Sequence, residues 1–339
     1  MEIAQGAPRV DLVEYRGEYA GLSGASSGMQ KVYQVIARVA VTRDPVLILG
    51  ESGTGKELVA RAIHSKGPWP ERRFVAIDCG ALTPTLIESE MFGHVRGAFT
   101  GATHSRQGLL AAAGEGTVFL DEIMELPVSL QPKLLRVLQE REIRPLGSNE
   151  PIPMKARIIA ATNQDLLAAI KRGAFREELY FRLNVVSLKL PPLRERREDI
   201  PGLVRFFMAK HNAGAAGITS VSEEVMARLT AYEWPGNVRE LENCVQRTLA
   251  LGSAPQILVG DLPSNVRNFI RLSRRDPAAL ATLRELEQRS ILQALETTKG
   301  DRLRAAKLLG IGKTTIYRKL KEYGLEGAAE SPAGDPLPS

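Results

Sequence analysis

Apolar residues occur in short runs along the first 190 residues, and patterns with helical spacing separate these runs. The runs occupy 45–49, 74–77, 117–120, 157–161 and 185–190. Short runs of apolar and β-branched residues that alternate with helices are typical of a parallel sheet covered by helices. The pattern therefore predicts an α/β domain over residues 21–190.

The strand-like runs stop after this domain, and apolar residues then recur at helical spacing. This change of period predicts a small helical lid over 191–252. Residues 253–280 contain several prolines among polar residues, and this composition is typical of a linker.

Three helical segments follow, the last two on either side of Gly310, Ile311 and Gly312, and they predict a compact all-α module over 281–326. The first of these helices, around 283–295, either pairs with its twin in a dimer or packs within its own chain. Residues 327–339 are rich in Gly, Ala, Ser and Pro, so we expect a disordered tail. Residues 1–20 are expected to form a short leader, too short for a sensory domain of usual size.

Composition and charge add little to this outline. The chain has 339 residues, a formal net charge of +6 and 44% hydrophobic residues, which are ordinary values for a globular protein of two or three units. The positive charge favours a polyanionic partner, although many proteins with this surplus bind none.

Cysteine use and hydropathy indicate a compartment. The two cysteines, Cys79 and Cys244, form no CxxC pair, so two unpaired thiols in a reducing cytosol are expected rather than a disulfide. The sequence contains no apolar run of about 20 residues and no secretion pattern at its start, which predicts a cytoplasmic protein that does not enter membranes. The four histidines lack metal-ligand spacing, which disfavours a transition-metal site.

The first candidate site follows the first apolar run. Glycines there would let backbone N–H groups converge on phosphate oxygens, and the next helix would add its positive dipole end. Lys56 would reach the terminal phosphates, whereas Glu57 stands where a hydroxyl usually contacts magnesium. A plain glycine turn is the alternative. The predicted ATP-binding residues are Gly50, Glu51, Ser52, Gly53, Thr54, Gly55, Lys56 and Glu57.

Two further runs end in polar residues that suit nucleotide hydrolysis. Asp121 and Glu122 follow the run at 117–120, as an aspartate for Mg²⁺ and a glutamate for the attacking water would. Asn163 follows the run at 157–161 and would lie on the same sheet edge, where it could sense the terminal phosphate. Alternatively, Asp121 caps a helix and Asn163 is an ordinary turn residue.

A glycine-rich segment carries the most specific resemblance. Its residues are Gly97, Ala98, Phe99, Thr100, Gly101 and Ala102. With GESGTGKE at 50–57, this segment makes the chain similar to the sigma-54-dependent activators, or bacterial enhancer-binding proteins, over about 21–325. The resemblance implies an AAA+ P-loop NTPase fold in which the GAFTGA segment contacts sigma-54. Without it, the same loop could be a turn packed on the core.

The resemblance also implies roles for other residues. Glu57 is expected, since the family P-loop ends in Glu. Asp121 and Glu122 correspond to the Walker B pair, and Asn163 belongs to sensor I. The resemblance departs at Asp78, where many relatives carry an Asn thought to hold the catalytic glutamate away; with Asp78, two carboxylates could face each other.

Three arginines are implied to act at the nucleotide as well. Arg176 and Arg182 are the candidates for arginine fingers that reach the ATP of a neighbouring subunit, a role that can raise turnover about 10³- to 10⁵-fold. Both could instead be solvated helix charges. Arg239, in the lid, resembles sensor II and would touch the nucleotide.

Basic residues are concentrated in the last predicted module. Residues 301–323 hold seven basic and two acidic side chains, a net charge of 7 − 2 = +5. Two short helices around a glycine turn resemble the Fis-type helix-turn-helix of the same family, whose second helix would enter the DNA major groove. Gly312 stands where Ser commonly caps this helix, a small loss. A solvated basic hairpin is the alternative. The predicted DNA contacts are Lys313, Thr314, Thr315 and Arg318.

Together these features predict an ATP-dependent activator with the partners sigma-54 RNA polymerase, double-stranded DNA and further copies of itself, as a dimer and a hexameric ring. The alternatives are an AAA+ regulator of another client and a DNA-binding regulator that has lost hydrolysis. The short segment before residue 21 has two explanations: a regulatory protein acts in trans, or the chain is part of a longer protein.

Overall fold

The computed structural model describes residues 21–81, 83–211, 220–252, 256–269, 283–298 and 300–323. They fall into two compact units that divide between Phe269 and Ile270. The predicted leader at 1–20 and tail at 327–339 lie outside the described residues.

The first part of the first unit is an α/β domain. Its elements are α1 (Ser27–Ala40), β1 (Val46–Leu49), α2 (Lys56–Ser65), β2 (Phe74–Asp78), α3 (Pro84–Phe92), β3 (Gly93–His94), β4 (Arg106–Gln107), α4 (Leu109–Ala112), β5 (Thr117–Asp121), α5 (Gln131–Glu140), β6 (Glu142–Ile143), β7 (Ile152–Pro153), β8 (Arg157–Thr162), α6 (Leu166–Lys171), α7 (Glu177–Leu183) and β9 (Val186–Lys189).

Five of these strands form a parallel sheet in the order β2-β5-β8-β1-β9. Each of the five predicted apolar runs forms one of its strands. Side chains alternate between two cores: Leu47 packs on one face with helices α3 to α7, whereas Val46 and Ile48 pack on the other with α1 and α2. Burial on both faces explains why these strands are continuously apolar.

The second part of the first unit is the helical lid. Its elements are α8 (Ile200–His211), β10 (Ser220–Val221), α9 (Glu223–Ala231), α10 (Asn237–Leu251), β11 (Gln256–Ile257) and α11 (Ser264–Arg267). The lid extends beyond the predicted boundary at 252, because Ile257, Leu262 and Val266 are buried in its core. The linker prediction is therefore wrong for 256–269. The polar residues between these three apolar side chains made the segment resemble a linker.

The second unit contains α12 (Leu283–Thr297), α13 (Arg302–Leu308) and α14 (Lys313–Glu322). Ile291, Ala294 and Leu295 of α12 pack with Ile316 and Leu320 of α14 in one small core. At these positions α12 packs within its own chain, the second of the two sequence alternatives.

Cys79 and Cys244 are buried free thiols, so the prediction of unpaired cysteines is confirmed. Among the described residues, no helix has the length and apolar character needed to cross a membrane.

Candidate functional site

The loop after β1 has the geometry of a phosphate-binding loop. Residues 50–55 connect β1 to α2, which begins at Lys56. Gly53 and Gly55 have φ angles of 76° and 102°, in the left-handed region that favours glycine. A Cβ on Gly53 would lie 2.2 Å from the carbonyl oxygen of Gly236, so only glycine fits where the lid touches this loop.

Lys56 connects this loop to the end of β5. Its side chain is 7% exposed, and Nζ donates to the Gly50 carbonyl oxygen and to Glu122 Oε1, both at 3.2 Å. The second carboxylate oxygen of Glu122 accepts from the backbone N–H of Asn163 at 3.3 Å. The structure thus brings together three sequence-predicted residues from three neighbouring elements at the carboxyl edge of the sheet.

Glu122 has an unusual backbone for a non-glycine residue. Its φ and ψ angles are 45° and 51°, which is the left-handed helical region. Such strain is kept at functional sites when surrounding contacts determine the conformation. Here that conformation directs the carboxylate toward Lys56.

Two aspartates lie beside Glu122 and differ in their contacts. Asp121 Oδ1 accepts from the Glu122 N–H at 3.0 Å, and burial raises the pKa of Asp121 above its ordinary value. Asp78 is the register partner of Asp121, and its Oδ1 accepts from the Gly80 N–H at 2.8 Å. The carboxylate of Glu122 is instead bound by Lys56 and Asn163, so the Asp78 side chain does not hold it in this structure.

One open cavity of about 360 Å³ is lined by Lys56, Asp78, Asp121 and Glu122. Its polar lining is Ser52, Lys56, Glu57, Asp78, Asp121, Glu122, Arg239 and Glu242. Within the described ranges, no three acidic, histidine or cysteine side chains converge as metal ligands. Asp121 is the residue that would hold a magnesium ion, and magnesium commonly takes its other ligands from phosphate oxygens and water. The lysine and the acidic residues of this lining are the side chains that ATP and Mg²⁺ would need.

The lid contacts the P-loop through its backbone and through Arg239. The Gly53 carbonyl oxygen accepts from the N–H groups of Val238 and Arg239, at 3.0 and 3.2 Å. Arg239 Nη1 lies 3.4 Å from Ser52 Oγ, at the edge of the cavity. This places the predicted sensor residue beside the phosphate-binding loop.

Asn237 lies in the same lid segment as Arg239, and the sequence predicted no role for it. It is fully buried with a φ of 53°, a conformation that Asn tolerates better than most residues. Its Oδ1 accepts from the Leu193 N–H at 2.8 Å, and its Nδ2 donates to Glu51 Oε2 at 3.2 Å and to the Ser52 carbonyl at 3.0 Å. One amide thus joins the start of α10 to the segment before α8 and to the P-loop.

A second missed contact is the bidentate pair of Glu51 and Arg194, with N···O distances of 2.7 and 2.5 Å. The hydrogen bonds from Arg194 lower the pKa of Glu51 to about 2. Arg196 adds a bond from Nη2 to the Thr54 carbonyl oxygen at 3.1 Å. The only signal in the sequence was the density of arginines at 194–197, which does not identify their partners.

Arg176 and Arg182 lie away from the cavity of their own chain. Arg176 is the N-cap of α7, where its N–H donates to the buried Gln131 side chain at 2.8 Å. Both side chains are exposed, and neither forms an ion pair with a described residue. These arginines are therefore accessible to another molecule.

The GAFTGA segment lies in the loop between β3 and β4. Gly97 donates to the Ala102 carbonyl and Ala102 to the Phe99 carbonyl, at 2.9 and 3.0 Å. The Phe99 ring is 37% exposed, and its centroid lies 5.0 Å from that of His94. Thr100 is exposed at the tip. The segment is a folded loop that presents Phe99 and Thr100 to the solvent.

The second unit has the geometry of a helix-turn-helix. Lys313, Thr314 and Arg318 of α14 are exposed and Thr315 is half-buried, while the opposite face of α14 is buried. Gly312 is the N-cap of α14 and provides no side-chain cap. Lys319 forms an ion pair with Glu287 of α12 at 2.8 Å, so this cation is engaged within the unit.

Comparisons with known proteins match all three parts of the chain. The sigma-54 interaction domain matches residues 22–189, the AAA+ ATPase lid domain 194–277, and the Fis family of bacterial regulatory proteins 282–323.

Several characterised relatives are similar over most of this chain. Regulatory protein AtoC of Escherichia coli is 45% identical over 311 residues, which cover 89% of this chain and 68% of AtoC. The regulator NtrC of Rhizobium meliloti is 42% identical, with 90% and 70% of the two chains covered. The crystal structure of NtrX from Brucella abortus with ADP has a TM-score of 0.69 and 35% identity, and covers 89% of this chain and 70% of NtrX.

The sheet, the phosphate-binding loop and the helical lid define an ATPase of the AAA+ class. The sigma-54 interaction domain and the Fis-type helix-turn-helix narrow this class. The chain belongs to the family of sigma-54-dependent transcriptional regulators.

Proposed function

We propose that this chain activates transcription by hydrolysing ATP between neighbouring protomers of a ring, and that the hydrolysis moves the GAFTGA loop against sigma-54 to open the promoter. The α14 helix binds upstream DNA through Lys313, Thr314, Thr315 and Arg318. The observation that carries the proposal is the convergence of Lys56, Asp121 and Glu122 in one cavity that the lid also contacts.

The residues of the chain divide the work of hydrolysis. The P-loop N–H groups and Lys56 bind the phosphates, and Glu122 orients the attacking water and accepts its proton. Asp121 would hold a magnesium ion, which would supply positive charge to the phosphate oxygens. Arg176 and Arg182 of one protomer stabilise the charge that develops on the nucleotide of the next, since neither lines the cavity of its own chain.

Movement reaches the GAFTGA loop along a short part of the chain. β2 ends at Asp78 in the cavity, α3 follows it, and α3 ends where the β3–β4 hairpin begins. Lys56 contacts Glu122 in this structure, and ATP would compete for the same ammonium group through its phosphates. We infer that the resulting rearrangement at the ends of β2 and β5 shifts α3 and the loop it carries.

Two substitutions test the proposal. Thr100→Ala should abolish promoter opening by sigma-54 polymerase and leave ATP hydrolysis near the wild-type rate, whereas Lys56→Ala should lose both. If Thr100→Ala opens promoters normally, the loop acts on another client. If the phosphate-release rates of Lys56→Ala and wild type are equal, the chain regulates without hydrolysis.

A further inference from the structure

We propose that the amino edge of the sheet carries a docking site for an acidic segment of a partner protein. The site, called here the amino-edge patch, consists of Arg43, Trp69, Arg72, Arg141 and Lys155 around Glu115. It lies at the opposite edge of the sheet from the nucleotide cavity, so it is separate from the proposed ATPase chemistry.

The topology of the sheet assembles this patch. Arg43 precedes β1, Arg72 precedes β2, Glu115 precedes β5 and Lys155 precedes β8. The order β2-β5-β8-β1 makes these strands neighbours, and all run parallel. Residues that are far apart in sequence therefore lie side by side where the strands begin.

Trp69 is the apolar centre of the patch. Its side chain is 37% exposed, whereas the other tryptophan, Trp234, is fully buried. The guanidinium carbons of Arg43 and Arg72 lie 4.2 and 5.0 Å from the centroid of the Trp69 ring. Exposed tryptophan beside arginine is the composition enriched at the energetic centres of protein interfaces.

The charge of the patch selects an acidic partner. Four cations surround one carboxylate, which gives a net charge of 4 − 1 = +3. Glu115 contacts Arg72 at 2.5 Å and Lys155 at 3.6 Å, so it neutralises only part of the charge. Lys155 is 61% exposed and accessible to a ligand. Complementary charge at such a surface speeds association and excludes basic partners.

The arginines are already ordered by bonds to the backbone. Arg43 Nη1 donates to the Lys155 carbonyl at 3.0 Å, and Arg141 Nη1 donates to the Ala156 carbonyl at 3.2 Å. Each guanidinium has further N–H groups for a carboxylate. Because these side chains are already held in place, the patch loses less conformational entropy when a partner binds.

The shape of the patch favours a protein segment over duplex DNA. The charges surround one cavity of about 380 Å³, with Met154 and Ala156 in its wall beside Trp69. DNA backbone binding needs cations spread along a stripe that follows successive phosphates. A concave site with one aromatic centre instead suits carboxylates that flank an apolar side chain.

The fluorescence of Trp69 provides a direct test in the full chain. The probe is a short synthetic peptide in which glutamates surround one leucine, and the same peptide with lysines is its control. The acidic peptide should change the emission saturably, with an affinity that falls as salt rises. Trp69→Phe should remove the change, because Trp234 is buried.

Charge reversal separates the patch from general electrostatic attraction. Lys155→Glu changes the charge of the patch by two units and should weaken acidic-peptide binding about 10-fold, because the new carboxylate repels the glutamates of the peptide. Lys31→Glu, an equal charge change on an exposed residue of α1, should leave the affinity within about twofold of wild type. ATP hydrolysis should be unchanged in both variants, so this result is independent of the proposed function.

Three outcomes would overturn the proposal. The first is no saturable change in emission with the acidic peptide at low salt, and the second is equal peptide affinity for Lys155→Glu and wild type. The third is that a nucleotide, with GMP as the probe, or a short DNA duplex binds at Trp69 more tightly than the acidic peptide does. The last outcome would assign the patch to a nucleotide or nucleic acid.

Discussion

Glu122 shows how much a single residue depends on its surroundings. Its left-handed backbone would be unfavourable in isolation, and the bonds from Lys56 and Asn163 compensate for it. Asn237 is held in a similar way by three hydrogen bonds in a fully buried position. At both residues, substitutions can separate the effect of the side-chain group from the effect of its shape or of the backbone conformation.

At Glu122, the substitution Glu122→Gln preserves the shape and removes the base. Phosphate release should fall about 10²- to 10⁴-fold, the range for loss of a general base, while a fluorescent ATP analogue should still bind. Glu125→Gln is the matched control, since this exposed residue bonds to Gln164 nearby. Hydrolysis at the wild-type rate in Glu122→Gln would remove Glu122 from the mechanism.

At Asn237, two substitutions separate the side chain from the backbone. Asn237→Gly keeps the positive φ and should destabilise the lid by about 1–3 kcal/mol, because the Leu193 N–H loses its partner in a buried site. Asn237→Ala should cost about 1 kcal/mol more because alanine is strained at this φ.

Urea unfolding followed by Trp234 emission in a Trp69→Phe background measures both effects. Asn268→Gly, at an exposed helix end, should change the free energy of unfolding little. Equal stability of Asn237→Gly and wild type would show that the side-chain bonds do not stabilise the lid.

At the scale of elements, the P-loop and lid form one connected structure. Glu51, Ser52, Gly53 and Thr54 all bond to residues between 194 and 239. Because the same loop would bind the phosphates, nucleotide binding and lid position are physically coupled. Within this connection, Glu51 and Arg194 form an ion pair.

This pair gives a pH prediction. The pKa of Glu51 in the folded protein is about 2, below its ordinary value of 4.5. The stabilisation that the ion pair gives to the fold is therefore complete above pH 4.5 and is lost as pH falls toward 2. Arg194→Ala should therefore lower the free energy of unfolding by the same amount at every pH from about 5 to 8. Urea unfolding at several pH values measures this difference, and a systematic change across that range would contradict it.

At the scale of the whole molecule, the proposed ring completes each nucleotide site with arginines from a neighbour. Mixing two inactive variants tests this arrangement. Arg182→Ala should hydrolyse ATP poorly, and so should Lys56→Ala. An equal mixture should recover about a quarter of wild-type phosphate release, because that share of interfaces joins an intact P-loop to an intact arginine.

A substitution of another exposed arginine serves as the control for the mixing experiment. Arg172→Ala, an exposed arginine at the end of α6, should remain active alone. If Arg182 acts within its own chain, the mixture of Arg182→Ala and Lys56→Ala will be as inactive as its components.

The strands, the main helices and the P-loop were predictable from sequence because each depends on a local pattern. Strands β1, β2, β5, β8 and β9 coincide with apolar runs to within two residues at either end. The end of the lid was not predictable from sequence. Ile257, Leu262 and Val266 are too widely spaced to form a periodic pattern, and only their packing shows that they are buried.

Only the tertiary structure decided which residues meet. Glu51 and Arg194 are 143 positions apart, and Asn237 is 186 positions from Glu51, so no local pattern relates them. The amino-edge patch likewise exists because the sheet order places four strand beginnings together. Sequence alone determined the family and the local chemistry through short motifs, whereas the lid contacts and the patch depend on how distant elements pack.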